Sequence, residues 1–361
     1  MSKRLERLRN ELMAAGVDAF LVSQIENVRY LSGFTGSFAF LVITLQDAYF
    51  LTDARYIEQV SQECQRYVIE EFQGGWTKKA SELIKTLGVR KVGFESAHLS
   101  YDAWNALREQ LEKIELVALD DIIGRLRTVK DEAEILAIRE AASIADLAFE
   151  HIKGLLKPGM SEKEIAIEID FFIRKNGAER EAFETLVASG PRSALPHGKP
   201  TDRLVSEGEL LLLDFGARWQ GYHSDITRTV VIGQMHPKQI EIHEIVLEAQ
   251  SRAIKAIRPG LPGGDIDKIA RDYITEKGYG EYFGHGLGHG VGLAVHDGVD
   301  GGRILGRGSK IILEAGMVVT VEPGIYIPGW GGIRIEDDVL VTKSGAEVLT
   351  HSSRDLSIFA K

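Results

Sequence analysis

Two stretches of this chain can be laid over each other at a constant offset, and this duplication constrains the fold more than any other feature. Lys157-Pro-Gly-Met-Ser-Glu-Lys-Glu-Ile165 aligns with Arg258-Pro-Gly-Leu-Pro-Gly-Gly-Asp-Ile266 at a spacing of 101 residues. The register continues without a gap through Ile169 on Ala270, Phe172 on Tyr273 and Gly177 on Gly278. Each copy reads as a basic residue, a Pro-Gly turn, an N-cap region, an amphipathic helix and a glycine C-cap, and Ser161 with Glu164 makes a capping box in the first. Two helices with similar boundary chemistry would give the same pattern. A duplicated α/β half would give more: a pseudo-twofold domain with a cleft between its halves, a natural place for a site.

The 361 residues exceed what one hydrophobic core usually serves, so a second domain is expected beside the duplicated one. Residues 1–127 mix helical patterns (Arg4–Ala15, Lys79–Leu87) with β-rich runs (Ala19–Val22, Phe38–Ile43, Ala48–Leu51, Lys91–Phe94), which predicts a separate α/β domain. A long helical pattern over Asp131–Leu155 follows, which places the boundary near Thr128 and the second domain over 128–361. The first domain does not cluster histidines with carboxylates, so it reads as a scaffold or a substrate gate.

Composition narrows the partners. A formal charge of −10 argues against a surface that tracks phosphates, and no nucleic acid is expected. The single cysteine, Cys64, excludes an intrachain disulfide and suits a reducing compartment. Lys3 and Arg4 are not followed by the apolar run of a signal peptide, and no stretch approaches the roughly 18 apolar residues of a membrane span. A cytoplasmic protein without a membrane partner is the expectation.

The chemistry lies in the second domain. Asp214 sits inside the apolar run 209–216, and Asp225 opens the β-rich run that continues to Ile232, the two joined by a hairpin around 219–221. His285-Gly-Leu-Gly-His-Gly-Val-Gly-Leu-Ala-Val-His296 crowds three histidines and four glycines into twelve residues. Glu322 ends a β-branched strand in Val318–Tyr326, and Glu336 lies in a strand over Gly332–Leu340 with Arg334 two residues before it. Carboxylates in apolar strands are costly unless paired or metal-bound. Two Asp, two Glu and one His form a mostly oxygen ligand set whose like charges would repel without cations, and two divalent ions cancel the four negative charges. That is the arrangement expected of a two-metal hydrolase.

The segments Leu213-Asp-Phe-Gly216, Ser224-Asp-Ile-Thr-Arg-Thr229, Gly288-His-Gly-Val-Gly292, Val321-Glu-Pro-Gly324 and Gly332-Ile-Arg-Ile-Glu-Asp337 resemble the pita-bread metallopeptidases. Within them the likeness is to the Xaa-Pro dipeptidase (prolidase) and aminopeptidase P branch. Asn27-Val-Arg-Tyr-Leu-Ser-Gly-Phe-Thr-Gly-Ser37 and Leu51-Thr-Asp-Ala-Arg-Tyr56 are similar to that branch's creatinase-type N-terminal domain. The resemblance implies an α/β N-terminal domain followed by a pita-bread catalytic domain. It implies that Asp214 chelates one metal, that Asp225 and Glu336 bridge both, and that His289 and Glu322 complete the other shell. Glu322 would also move the proton of the attacking water to the leaving amine. His197, His285 and His296 would line the substrate and steady the oxyanion, and Arg334 would orient a bridging carboxylate. His98, His151, His223, His236, His243 and His351 have no such context and read as structural or exposed.

The activity so implied is hydrolysis of the bond before proline in short peptides, carried out by a homodimer. Manganese is the ion a carboxylate-rich shell suits first, with cobalt, zinc and iron left open. Arg334 is expected to be occupied with the metal shell, so no second arginine of the motifs is clearly free to clamp a terminal carboxylate. The expectation leans only slightly to Xaa-Pro dipeptides, with aminopeptidase P as the alternative. Methionine aminopeptidase, creatine amidinohydrolase and an inactive peptide-binding pita-bread module are weaker rivals. The large N-terminal domain and the His197 and Arg334 contexts count against the first of these. An intact ligand set counts against the other two.

Overall fold

β-branched and aromatic runs separated by polar turns build a single mixed sheet in the first part of the chain. The computed structural model describes residues 3–358, which divide into two units after Arg127. The first unit holds strands β1 (Ala19–Val22), β2 (Phe40–Thr44), β3 (Ala48–Thr52), β4 (Val68–Glu71), β5 (Lys91–Glu95) and β6 (Glu115–Leu119). Their order is β4-β3-β2-β1-β5-β6, antiparallel where β2 meets β1 and β3 and parallel elsewhere. Helices Trp76–Thr86 and Tyr101–Gln110 bring Ala80, Leu83, Ile84 and Leu107 onto Leu21, Val42, Val92 and Phe94 of this sheet. Cys64 is buried and its thiol is pushed up to about 11 by that burial, so it is inert.

The second unit shows the duplication directly. Helices Glu162–Lys175 and Gly263–Glu276 begin and end 101 residues apart, and the helices before them, Glu132–Leu155 and Pro237–Ala256, end at the same spacing. The turn glycines Gly159 and Gly260 have φ of +90° and +89°, a region that favours glycine. Asp131 and Ser161 each close a capping box, whereas Pro262 stands at the N-cap of its helix with no side-chain bond.

Each helix pair covers its own strands. Strands β7 (Arg180–Glu181), β8 (Leu186–Ser189), β9 (Leu210–Phe215), β10 (Ala217–Trp219), β11 (Tyr222–His223) and β12 (Ile226–Ile232) follow the first pair or precede the second. Strands β13 (Val318–Val321), β14 (Gly324–Ile327), β15 (Gly331–Arg334), β16 (Asp337–Val341), β17 (Ala346–Val348) and β18 (Ser357–Ile358) follow the second. One core packs Phe149, Ile165 and Ile169 on β9 and β12 through Leu211, Leu213 and Val230. A second packs Val246, Ile266 and Ala270 near β13–β16 through Val319, Ile325, Ile333 and Val339. β9 and β12 pair antiparallel, with Thr227 opposite Asp214, and they are buried along their whole length.

The structure divides runs that the sequence pattern reads as continuous. Gly332–Leu340 is two strands, β15 and β16, and Ile335 and Glu336 form the break between them. Asp225 lies between β11 and β12, and Glu322 between β13 and β14. Three of the four acidic candidates thus stand where the backbone leaves one pairing for another and a side chain can be aimed off the sheet.

Candidate metal centre

Backbone hydrogen bonds gather these breaks. The Glu336 N–H donates to Thr227 O at 3.1 Å and the Glu322 N–H to Leu287 O at 2.8 Å. The His289 N–H donates to Thr320 Oγ1 at 3.0 Å, and Thr320 returns its own N–H to His289 O at 2.7 Å. Two glycines permit that approach: a Cβ on Gly288 would lie 2.0 Å from Thr320 O, and one on Gly290 would lie 2.2 Å from Asp297 O. The Asp225 N–H is held by Asp338 Oδ2 at 2.9 Å.

The side chains converge. One donor atom each from Asp225, His289 and Glu336 lie within 4.8 Å of one another. His289 Nε2 stands 3.6 Å from Asp225 Oδ2 and 3.6 Å from Glu322 Oε1, too far for hydrogen bonds. These are separations that donors take around one divalent ion with bonds of about 2.1 Å. His289 Nδ1 is 3.1 Å from Gly290 O, which fixes its N–H there and leaves the Nε2 lone pair free. Burial and the neighbouring His296 bring its pKa down to about 3, so the ring is a neutral ligand at any ordinary pH.

The carboxylates carry the opposite perturbation. Burial, then repulsion from Glu336 and Asp214, raises Asp225 well above the usual range, and burial with Glu322 and Asp214 does the same to Glu336. Burial pushes Glu322 up to about 8 against the pull of Arg334. Asp214 is also raised by burial, with Arg334 opposing. Asp214 Oδ1 and Asp225 Oδ1 are buried without a hydrogen-bond partner. Orphaned acceptors and crowded like charges are costly as they stand and are what cations would relieve. The donor set fits two divalent metal ions.

Around this cluster runs a polar chain. Arg334, almost fully buried, pairs with Asp214 Oδ2. Its Nε donates to Thr227 Oγ1 at 2.9 Å, and Thr227 Oγ1 donates to Glu336 Oε2 at 2.5 Å. Arg334 therefore grips the single-metal candidate directly and reaches the bridging candidate Glu336 only through a threonine. Its Nη1 donates to Tyr326 OH at 2.9 Å, and Tyr326 OH meets His285 Nε2 at 2.9 Å. His285 Nδ1 is 2.7 Å from Gly286 O, so both ring nitrogens are engaged, and burial lowers its pKa to about 4. His285, expected against the substrate, is held here by Tyr326.

His197 and His296 differ from it. Both are exposed, and His197 is brought to the cluster by the residue before it, Pro196, whose carbonyl accepts from Arg334 Nη1. The His296 ring lies 4.0 Å from that of His289. The remaining histidines stand apart: His223 is buried with Nδ1 at 3.0 Å from Gly292 O, His243 bonds Arg354 O, His151 stacks on Phe172 and His236 caps a helix.

Residues 137–343 match metallopeptidase family M24, and residues 4–129 match the creatinase/prolidase N-terminal domain. The chain belongs to metallopeptidase family M24. Among similar proteins is a Xaa-Pro dipeptidase of Pyrococcus horikoshii, 40% identical over 99% of each chain. A solved Xaa-Pro dipeptidase from Bacillus anthracis is 45% identical with a TM-score of 0.95, covering 99% of both chains. An X-Pro aminopeptidase structure from Thermotoga maritima is 40% identical with a TM-score of 0.89, covering 99% of this chain and 100% of that one. The α/β N-terminal domain and pita-bread catalytic domain are thus those of a dinuclear metal-dependent peptidase family.

Three polar residues of this M24 site are not evident from the sequence alone. Thr227 is the cross-strand partner of Asp214, which the hairpin register of the two runs could have shown. Tyr326 lies in the apolar run Gly324–Ile327 and carries no signal of its own. Asp338 reads as one more acid after Glu336, yet it is buried behind Asp225.

Proposed function

We propose that this M24 chain is an exopeptidase that cleaves the bond before proline at the free amino end of short peptides, with Xaa-Pro dipeptides as its main substrates. The convergence of Asp225, Glu322, Glu336 and a neutral His289 on one point, with Asp214 tied to Glu336 through Arg334 and Thr227, carries the reading. In it Asp214, Asp225, His289, Glu322 and Glu336 would hold two divalent ions, Asp225 and Glu336 being the carboxylates that would serve both. Bound there, the ions lower the pKa of an attacking water and polarise the scissile carbonyl. Manganese suits this oxygen-rich shell.

The chain's own groups do the rest. Glu322 keeps 17% of its side chain exposed, and burial pushes its pKa up to about 8. It takes the proton of the attacking water and returns it to the imino nitrogen of the leaving proline. His197 and His296, open to solvent beside the cluster, meet the carbonyl oxygen as charge develops on it. Arg334 and Tyr326 hold Asp214 and His285 in place. Proline offers no amide N–H, so its subsite needs an apolar wall in place of an acceptor.

Among the described residues no helix is long and apolar enough to cross a membrane, and a cytoplasmic location is part of the same proposal. The same reading takes the catalytic domain as 128–361, the creatinase-type N-terminal domain, a scaffold or substrate gate, as 1–127 and the working form as a homodimer. The alternative, aminopeptidase P, draws on Arg334: it is committed to Asp214, Thr227, Pro196 and Tyr326 and cannot receive a substrate carboxylate. Rates on Xaa-Pro against Xaa-Pro-Xaa and longer peptides, across a panel of divalent metals, decide. Dipeptides preferred, with some tripeptide activity, supports the proposal; long peptides cleaved well above the dipeptides assigns aminopeptidase P. No proline-directed cleavage with any metal overturns both.

A further inference from the structure

Far from the acidic cluster in sequence, one carboxylate is fully buried and used for nothing in the reaction just described. Glu162, the first residue of the helix Glu162–Lys175, receives five hydrogen bonds. Its Oε1 accepts from Ser189 N at 2.8 Å and Ser189 Oγ at 2.8 Å. Its Oε2 accepts from Arg192 Nη1 at 3.1 Å, Thr201 N at 3.0 Å and Thr201 Oγ1 at 2.6 Å. The helix N-terminus is a favourable place for that charge.

Ser189 and Thr201 are the two ends of one loop, and His197 lies on that loop. The loop starts with a short 3-10 turn, Gly190–Ala194, and Arg192 crosses it by donating Nη2 to Lys199 O at 2.8 Å. Its middle is pressed on β15: Ser193 Oγ accepts the Gly332 N–H at 2.8 Å, and a Cβ on Gly332 would meet Ser193 O at 2.3 Å. Its tip is tied to the polar chain, since Arg334 Nη1 donates to Pro196 O at 3.2 Å, one residue before His197. At the base Glu162 accepts from both ends of the loop, Ser189 and Thr201, while Arg203, paired with Glu209, donates to Ser189 Oγ and the Lys163 N–H donates to Thr201 O.

The second half of the duplication contains an analogous clamp. There Asp267, on the helix Gly263–Glu276, accepts the Leu287 N–H at 3.0 Å and pairs with Arg271. Arg271 in turn donates to Phe283 O at 2.9 Å and His285 O at 2.7 Å. In both halves a buried acid on the second helix, with an arginine partner, fixes the loop that carries a histidine of the site.

We propose that Glu162, with Arg192, is a positioning residue for the M24 reaction: it closes the base of the 189–201 loop and so sets where His197 meets the substrate. This rests on the role given to His197 above. Exposed histidines owe their placement to backbone, and misplacement of a catalytic group by about 1 Å can cost on the order of 100-fold. Glutamine at position 162 keeps one acceptor oxygen and turns an amide N–H towards donors, so it opens one end of the loop.

The test is a double-mutant cycle on the full-length, metal-loaded protein, with metal content and melting temperature recorded for each variant. Glu162→Gln is expected to lower kcat on a Xaa-Pro dipeptide by about 10- to 100-fold with both metals retained. In a His197→Ala background the same change should cost less than about twofold, because the group it positions is gone. Arg192→Met, at a partly exposed side chain, should show the same pattern more weakly and serves if Glu162→Gln folds poorly. Losses that multiply fully in the double variant, or a fall in melting temperature with kcat unchanged, overturn the clamp while leaving the role of His197 intact. If His197→Ala alone leaves kcat unchanged, the role given to His197 is wrong and the clamp falls with it.

Discussion

Replacing Arg334 by methionine tests the electrostatic account of the site most severely. The guanidinium is 4% exposed, spans Asp214, Thr227, Tyr326 and Pro196, and is the cation in contact with Asp214. Breaking a buried pair by removing one partner costs about 3–5 kcal/mol. Asp214 can reduce that cost by keeping a proton, because burial already raises its pKa and Arg334 is the main influence holding it down. An acid with a raised folded pKa contributes stability below its unfolded value of about 3.9 and loses it as pH rises towards the folded value. Without Arg334 that loss extends to higher pH. The gap between wild type and Arg334→Met in metal-free protein should therefore widen with pH, from about 1–2 kcal/mol near pH 5 to the full 3–5 near pH 8.5. Divalent metal should stabilise the variant less, since weakening affinity by about 10- to 100-fold removes roughly 1.4–2.7 kcal/mol of linkage. Urea unfolding followed by circular dichroism at three pH values, with and without manganese, reads both effects. A gap that is below about 1 kcal/mol, or that narrows as pH rises, would refute the reasoning.

Other outcomes follow from the same geometry. Asp225→Asn or Glu336→Gln should lose at least one metal and nearly all turnover; elemental analysis showing both ions retained with normal rates would remove them from the ligand set. His296→Ala and His197→Ala should lower kcat by about 10- to 1,000-fold with metal content unchanged; loss of both metals in His296→Ala would make it a ligand in place of His289. Because Glu322 sits at about 8, metal-free protein should hold a proton there at pH 7 and release about one on binding metal. Calorimetric titrations in buffers of differing ionisation enthalpy measure this release. It should be smaller at pH 9, where Glu322 has already lost its proton, and no release at pH 7 contradicts the crowded-carboxylate picture.

Much of this was legible in the sequence because it left a pattern there. The duplicated Pro-Gly turns and C-cap glycines gave the 101-residue spacing, and the helices realise it at both ends. The four acidic ligand candidates stood out because acids in apolar runs need a reason, and His289 because glycines and histidines crowd around it. The strand break at Glu336 was not legible, since a period of two continues through a residue that leaves the sheet. β4 and β6 went unread because their exposed and acidic faces do not alternate cleanly. Glu162 looks like any acid in a first helical turn, and only the tertiary path of the 189–201 loop shows what it holds. The bond from His285 to the hydroxyl of Tyr326, some forty residues on, has no mark in the glycine-rich motif that carries the histidine.

The central claim is a two-metal site that cleaves before proline, and a metal titration tests it most directly. Chelator-treated protein is titrated with manganese while bound metal and the hydrolysis of a Xaa-Pro dipeptide are followed together. Activity should be absent at the start and rise to a plateau at two ions per chain, and Asp225→Asn should bind fewer ions and stay inactive. Full activity in the metal-free protein, or two ions bound with no cleavage of any Xaa-Pro peptide, would contradict it.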